Sequence, residues 1–291
     1  MPGCGRAALA LLASHLRQAL TGPDAVALVD TESSYGETRP VLDVVASCLQ
    51  QYGIDAFSCH LGDLVVEGDV VIAHGRRVGL VHRYFTLSEL TGTGSEAQAG
   101  RDVLRGLAAS GTPVVSPLST SCFGNKRSLA LLWSSEVRSS MTPDEIDVVE
   151  RLVPWLAPLD ARPGEIHDAP DDILAFCLAQ RDGLVLKPAF GVGGKGVVIG
   201  SEVTDEQWRD LVLGVDPSRY VVQRAIVAMP EALPKDALGA TSSWRVNYGV
   251  FHIGHSFGGG FVRAAPADGS RVIAEHSGAR MGCLFVGGPC V

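Results

Sequence analysis

The sequence predicts an open α/β layer followed by an α+β half, and three observations carry that expectation: the length, an early alternation of strand-like and helix-like runs, and a strand-rich remainder. A chain of 291 residues suits two domains, each typically ~100–200 residues, and their expected spans are 1–120 and 121–291. Hydrophobic residues make up 46% and charged residues 19%, the balance of a globular chain able to bury a core.

Taken in order, Ala7 to Ala13 is an apolar run far shorter than the ~20 residues of a membrane span. His15 and Arg17 follow at once, so it reads as a helix. Ala25 to Asp30 reads as a strand and Pro40 to Gln51 as a helix ending near Gly53, together a βα unit. Leu64-Val65-Val66 and Val70-Val71-Ile72 flank Glu67-Gly68-Asp69, whose glycine supplies a hairpin turn. Leu80 to Phe85 is expected to be a buried strand, Gln98 to Ala109 a helix closed by Gly111, and Pro113 to Ser116 a further strand. That alternation makes the open α/β layer.

Beyond Lys126, the spacing of Leu129, Leu132 and Trp133 predicts a helix over Ser128 to Val137. Thr142-Pro143-Asp144-Glu145 has the composition of a helix start, and Pro154, Pro158 and Pro163 predict irregular chain. Strands are expected at Leu184 to Pro188, Val197 to Gly200, Tyr220 to Ala225, Trp244 to Phe251 and Gly260 to Ala265. Helices are expected at Asp171 to Gln180 and at Asp205 to Leu213, the latter capped by Thr204.

The formal net charge of -8 gives no general attraction to nucleic acid or to anionic membrane surfaces. The single early Arg6 and the absence of a small-residue cleavage pattern argue against a secretory leader, so a cytoplasmic location is expected. Seven cysteines form an odd set with no Cys-x-x-Cys spacing, which indicates neither a disulfide framework nor a zinc ribbon. Most are expected to be small buried hydrophobes. His252-x-x-His255 straddles a turn and reads as structural. Ser119, Ser121 and Cys122 read as loop residues, with no histidine or acid to activate them.

The chemistry concentrates in Leu184-Val185-Leu186-Lys187-Pro188-Ala189-Phe190-Gly191-Val192-Gly193-Gly194-Lys195-Gly196-Val197-Val198-Ile199. Gly191-x-Gly193-x-x-Gly196 matches a dinucleotide fingerprint, but a helix must then open at the last glycine, and Val197 to Ile199 is strand-like. A Walker loop fails because Lys195 is followed by Gly196 in place of Ser or Thr. A flexible glycine loop between two strands remains. It can offer backbone N–H groups to phosphate oxygens, with Lys187 adding a point charge. An ordinary glycine hairpin with a solvated Lys195 suits the same residues.

Lys187-Pro188 with this loop, followed by Tyr220-Val221-Val222-Gln223, resembles the nucleotide site of ATP-grasp enzymes. Gly124-Asn125-Lys126 followed by Leu129 to Leu132 resembles the segment leading into their ATP-binding lobes. Tyr35-Gly36-Glu37, the Leu64 to Ile72 hairpin and Leu80-Val81-His82-Arg83 resemble the preceding domain of the circularly permuted ATP-grasp group. Arg245, Gly249, Gly258-Gly259-Gly260 and Arg263 resemble its arginine and glycine-rich strands. The resemblance implies an α/β substrate-side domain with an N-terminal helix at 1–120 and ATP-grasp nucleotide-binding lobes at 121–291.

It also implies that Lys126, Lys187 and the loop Gly191, Gly193, Gly194, Lys195 and Gly196 bind the triphosphate of ATP, with Gln223 at adenine. Arg245 and Arg263 would stabilise a transferred phosphoryl group or an acyl phosphate, as phosphoryl transfer demands. Taken singly, Arg263 also suits a surface ion pair, Gln223 a loop cap and Lys126 a solvated position. The implied activity is an ATP-dependent carboxylate–amine ligase acting on small-molecule or peptide substrates; an ATP-grasp kinase and a catalytically incomplete nucleotide-binding module within a complex are the alternatives. Family members hold Mg2+ with an acid and a Glu-x-Asn strand that this chain does not show. Glu275, Asp268 and Asn247 are candidate local substitutes but lack the family spacing, so either another segment or a partner chain supplies the ligands, or the site is degenerate.

Overall fold

The computed structural model describes residues 4–20, 22–191, 193–234, 240–269, 271–274 and 278–284. Contacts divide the described residues into two units: one holds those up to Ser121, Gly249–Phe261 and those from Cys283 on, the other those of Cys122–Tyr248 and Val262–Gly282.

The first unit begins with α1 (Cys4–Ala19), β1 (Ala25–Asp30), α2 (Glu32–Gln51) and β2 (Ala56–His60), then β3 (Val65–Glu67), β4 (Val70–Ala73), β5 (Arg76–Arg83), α3 (Ser95–Ser110) and β6 (Val114–Val115). Its sheet has the order β2-β1-β5-β4-β3, with β6 also on β5. β1 is parallel to β2 and β5, while β3, β4 and β5 run as an antiparallel meander. Every residue of β1 is buried, because helices cover both faces of the parallel core. Val26 and Leu28 share a cluster with Leu42, Ala46 and Leu49 of α2, and Ala27 and Val29 share one with Leu107 of α3. Gly111 closes α3 in the left-handed conformation.

Two boundaries differ from the sequence reading. Thr31 accepts from the Ser34 N–H as N-cap, so α2 starts at Glu32 and takes Pro40 into its interior. An interior proline removes a helix hydrogen bond; burial of Leu42, Ala46 and Leu49 outweighs that local cost. In the first hairpin Glu67 pairs with Val70, leaving a two-residue turn led by Gly68 at φ +63°. On the outer strand β2, the Ala56 carbonyl accepts from Gln50 Nε2 at 2.9 Å.

The second unit contains α4 (Lys126–Ala130), α5 (Ser135–Ser139), α6 (Pro143–Leu152), β7 (Leu156–Pro158), α7 (Ile173–Ala179), β8 (Leu184–Pro188), β9 (Val198–Ile199), α8 (Asp205–Gly214) and β10 (Tyr220–Arg224). Its antiparallel sheet has the order β7-β10-β8-β9. Leu184, Leu186 and Val222 join Trp133, Ile173, Cys177 and Trp208 in one core. α6 and α8 open on reciprocal capping boxes, Thr142 with Glu145 and Thr204 with Gln207.

The helix expected over Ser128 to Val137 is broken. Ser134 is extended between α4 and α5, because the chain turns to bond the 165–167 segment: Ser135 N–H donates to the Glu165 carbonyl, and the Trp133 carbonyl accepts from His167 N–H. The prolines after α6 do not leave irregular chain throughout, since β7 forms there. Pro158 ends this outer strand, a place where a missing N–H is tolerated.

A further sheet, in the order β11-β12-β13-β14, comprises β11 (Glu231–Pro234), β12 (Thr241–Ile253), β13 (Ser256–Pro266) and β14 (Arg280–Cys283). His252 lies in β12 and His255 in the turn after it. Cys59 and Cys177 are buried as expected, and burial pushes both thiols up to about 12. Cys122 is exposed. Among the described residues no helix is long and apolar enough to cross a membrane.

Candidate functional site

The register of β8 and β10 sets the geometry. Lys187 lies opposite Val221 and Val185 opposite Gln223, and side chains alternate between faces along a strand. Lys187 and Gln223 therefore share a face and meet diagonally, Lys187 Nζ donating to Gln223 Oε1 at 2.7 Å. Leu184, Leu186 and Val222 point the other way, into the core, which fixes the pair's direction.

Lys126 arrives from the first turn of α4. Its backbone N–H donates to the Ala189 carbonyl at 2.9 Å, and its Nζ reaches the Gly191 carbonyl at 3.2 Å. Asn125 caps this turn by accepting from the Arg127 N–H. Burial holds the Lys187 ammonium below its ordinary pKa, and the charge of Lys126 adds to the effect. Burial also lowers Lys126. Among the described residues neither ammonium has a carboxylate partner in an ion pair; each rests on a neutral oxygen. Two like charges partly withdrawn from water favour an arriving anion.

Between β8 and β9 the chain forms the glycine loop, with Gly191, Gly193, Gly194 and Gly196 at φ +154°, +65°, +76° and +72°. β9 follows, as the exclusion of a Rossmann helix requires. Lys195 is exposed in the loop. A Cβ at Gly196 would stand 2.8 Å from Pro188 Cγ in a backbone conformation other residues rarely adopt. Gly196→Ala should therefore strain the loop by ~1–3 kcal/mol. Its melting temperature should fall by several degrees and nucleotide affinity should fall as well, measurable by differential scanning fluorimetry alongside titration with ATP.

The structure thus brings Lys126, Lys187, Gln223 and the glycine loop into one place. The arginines lie elsewhere in the chain's secondary structure. Arg245 is in β12 and donates from Nη1 to the Gly269 carbonyl at 2.9 Å; half-buried Arg263 is in β13. Asn247 and Asp268 are exposed, and Glu275 lies outside the described residues. Among the described residues no group of three or more His, Cys, Asp or Glu could hold a metal ion. Sequence reasoning missed Phe190 and Arg219, which flank the loop's stem: the Arg219 carbonyl accepts from the Ala189 N–H at 2.7 Å. The pairing of Pro188 with Tyr220 is what brings them close, and no local pattern announces it.

No protein-family model and no curated protein matches the chain. Among solved structures, it is similar to a glutathione synthetase-like effector from Globodera pallida, with 11% identity, a TM-score of 0.55, and coverage of 89% of this chain. The chain shares the fold of that structure. It spans 59% of the length of that effector, and at this identity the likeness concerns the fold alone. D-cycloserine synthetase DcsG (16% identity, TM-score 0.44, 90% of this chain and 75% of that one) and D-alanyl-alanine synthetase A from Vibrio cholerae (12%, 0.43, 90% and 74%) are looser likenesses that carry no argument. Within this fold the lysine pair and the glycine loop belong to the same unit.

Proposed function

We propose that the lysine pair and glycine loop bind ATP and that the protein is an ATP-dependent carboxylate–amine ligase of the circularly permuted ATP-grasp kind, working in the cytoplasm. The observation that carries this reading is the convergence, on a loop of left-handed glycines, of two ammonium groups that have no carboxylate partner among the described residues. In it, Lys126, Lys187 and the N–H groups of Gly191 to Gly196 neutralise the triphosphate, and Gln223 meets adenine. A substrate carboxylate oxygen attacks the terminal phosphorus as the bond to ADP breaks. Arg245 and Arg263 balance the charge of the acyl phosphate, and an amine then attacks the acyl carbon, expelling phosphate and losing a proton. Positioning and charge neutralisation are what such transfers need from a protein. The ligase reading also draws on the name of the glutathione synthetase-like structure that shares the fold.

The donor set fits the phosphates of ATP. It does not fit a protein-held Mg2+, a hard ion that favours carboxylate oxygens, because the described residues supply no suitable cluster. No step is therefore assigned to the ion, and its protein ligands would come from another segment or a partner chain. The same observation favours a second reading, a nucleotide-binding module active only within a complex.

The test is ADP release with candidate acids and amines. Release requiring both supports the ligase, release with the acid alone supports a kinase, and tight ATP binding without turnover supports the module. Arg263→Lys should lower turnover about tenfold or more while leaving ATP affinity near that of the parent, since an ammonium cannot hold two oxygens in a fixed fork. Steady-state kinetics with ATP titration separates the two effects. Wild-type turnover in the lysine variant would remove Arg263 from the chemistry.

A further inference from the structure

The sheet that carries Lys187 and Gln223 on one face has a cleft by its other. Pro188 is paired with Tyr220, one step along from the Lys187–Val221 pair, so these two residues belong to the opposite face. There, Asn125, Arg127, Phe190, Asp216, Arg219 and Tyr220 line a cavity of about 560 Å³, within the ~300–1,000 Å³ common for small-molecule sites. The proposed triphosphate site uses neither arginine and neither ring.

The lining has a definite chemistry. Phe190 is 59% exposed although it sits on the stem of a constrained loop, and Tyr220, Pro188 and Val215 extend the apolar wall. Arg127 is held in place by Asp160 at 2.6 Å and by the Ser218 carbonyl at 3.0 Å. Asp216 Oδ1 accepts from the Ser218 hydroxyl and N–H at 2.7 Å and 3.0 Å, so part of its capacity is used within its own turn. Arg127 is thus paired with Asp160 and Arg219 lies near Asp216, and the guanidinium N–H donors these carboxylates leave over stand beside two aromatic rings. Such walls suit a small anion with a flat apolar body.

The cleft also shares its backbone with the lysine site. Ala189 donates to the Arg219 carbonyl and accepts from the Lys126 N–H, and Lys126 Nζ reaches the Gly191 carbonyl. A body lodged against Phe190 presses on the residue between that clamp and the first loop glycine. We propose that this cleft is a second ligand site, for a small aromatic carboxylate, and that its occupancy changes nucleotide affinity through the loop stem. The coupling, though not the site, rests on the ATP-binding reading above.

The experiment titrates the full chain, without nucleotide, with benzoate, 4-hydroxybenzoate, phenylacetate and indole-3-carboxylate, with benzamide as the uncharged control. Side-chain NMR signals of Phe190 and Tyr220 are followed. At least one carboxylate should bind saturably and at least fivefold more tightly than benzamide. Arg219→Gln and Phe190→Ala should each weaken it fivefold or more, with unchanged circular dichroism; neither removes the backbone clamp at Ala189. ATP affinity should then shift at least threefold in the presence of the carboxylate, with the reciprocal shift that linkage demands. No saturable binding by any of the four, or benzamide binding equally well, overturns the site. Binding with an unaltered ATP affinity overturns the coupling. Failure of ATP to bind the wild-type chain at all overturns the coupling and the nucleotide reading together, while the carboxylate titration decides the site independently.

Discussion

Lys187→Met should weaken ATP binding by roughly ten- to a hundredfold while the second unit stays folded. A charge-assisted hydrogen bond contributes about 1.5–3 kcal/mol, and each 1.4 kcal/mol is about a factor of ten in affinity. Methionine keeps an unbranched apolar stem against β10 and loses only the ammonium and its bond to Gln223. The effect also has a pH signature. Burial and the charge of Lys126 lower the Lys187 pKa in the free protein, whereas phosphate oxygens raise it again. Binding therefore takes up protons. Affinity should be level below the lowered free-protein pKa and fall as pH rises through it toward the ordinary lysine value of ~10.4. Calorimetry at alkaline pH, in two buffers of different ionisation enthalpy, measures affinity and proton uptake together. Unchanged ATP affinity in a folded Lys187→Met protein would remove the lysine pair from the site and, with it, the main support for nucleotide binding.

Trp208→Ala should cost the second unit about 3–5 kcal/mol, the usual range for removing a buried aromatic side chain. Trp208 is 1% exposed within the core of this unit, and its Nε1 donates to the Cys177 carbonyl at 2.9 Å. The substitution opens a cavity between α8 and α7 and takes a donor from a buried carbonyl. Since whole domains are stable by only ~5–15 kcal/mol, the urea midpoint should drop sharply. Trp208→Phe keeps most of the apolar volume but not the donor, and should cost less, ~1–3 kcal/mol. Urea unfolding followed by circular dichroism checks both. Equal stability of the phenylalanine and parent proteins would show that the indole N–H contributes nothing net.

The parts of the fold that sequence made legible are those where local signals and tertiary packing agree. Gly111 ends α3 in the conformation glycine permits, and the Thr142 and Thr204 capping boxes mark real helix starts. The Ser128 to Val137 reading went wrong because its apolar spacing is helical while its backbone partners lie more than twenty residues away, at Glu165 and His167. α2 hid its start in the same way: Pro40 argues against helix locally, and only burial of the following turns overrides it. At the candidate site, the glycine run and Lys187 stand out by residue type. The diagonal contact of Lys187 with Gln223 follows from strand register, which the sequence does not print. Phe190 and Arg219 were invisible for that reason too, being distant in sequence and joined through Ala189.

The bond from Gln50 to Ala56 bears on how the protein behaves at high concentration. β2 is the outermost strand of its sheet, and an outer strand offers backbone groups that a strand from another molecule can recruit. By occupying the Ala56 carbonyl with a side chain from α2, the chain supplies its own capping group where a neighbour would otherwise dock. Sheet extension through β2 must first displace that amide, so the interaction acts as a guard against edge-to-edge aggregation as well as a tie between helix and strand.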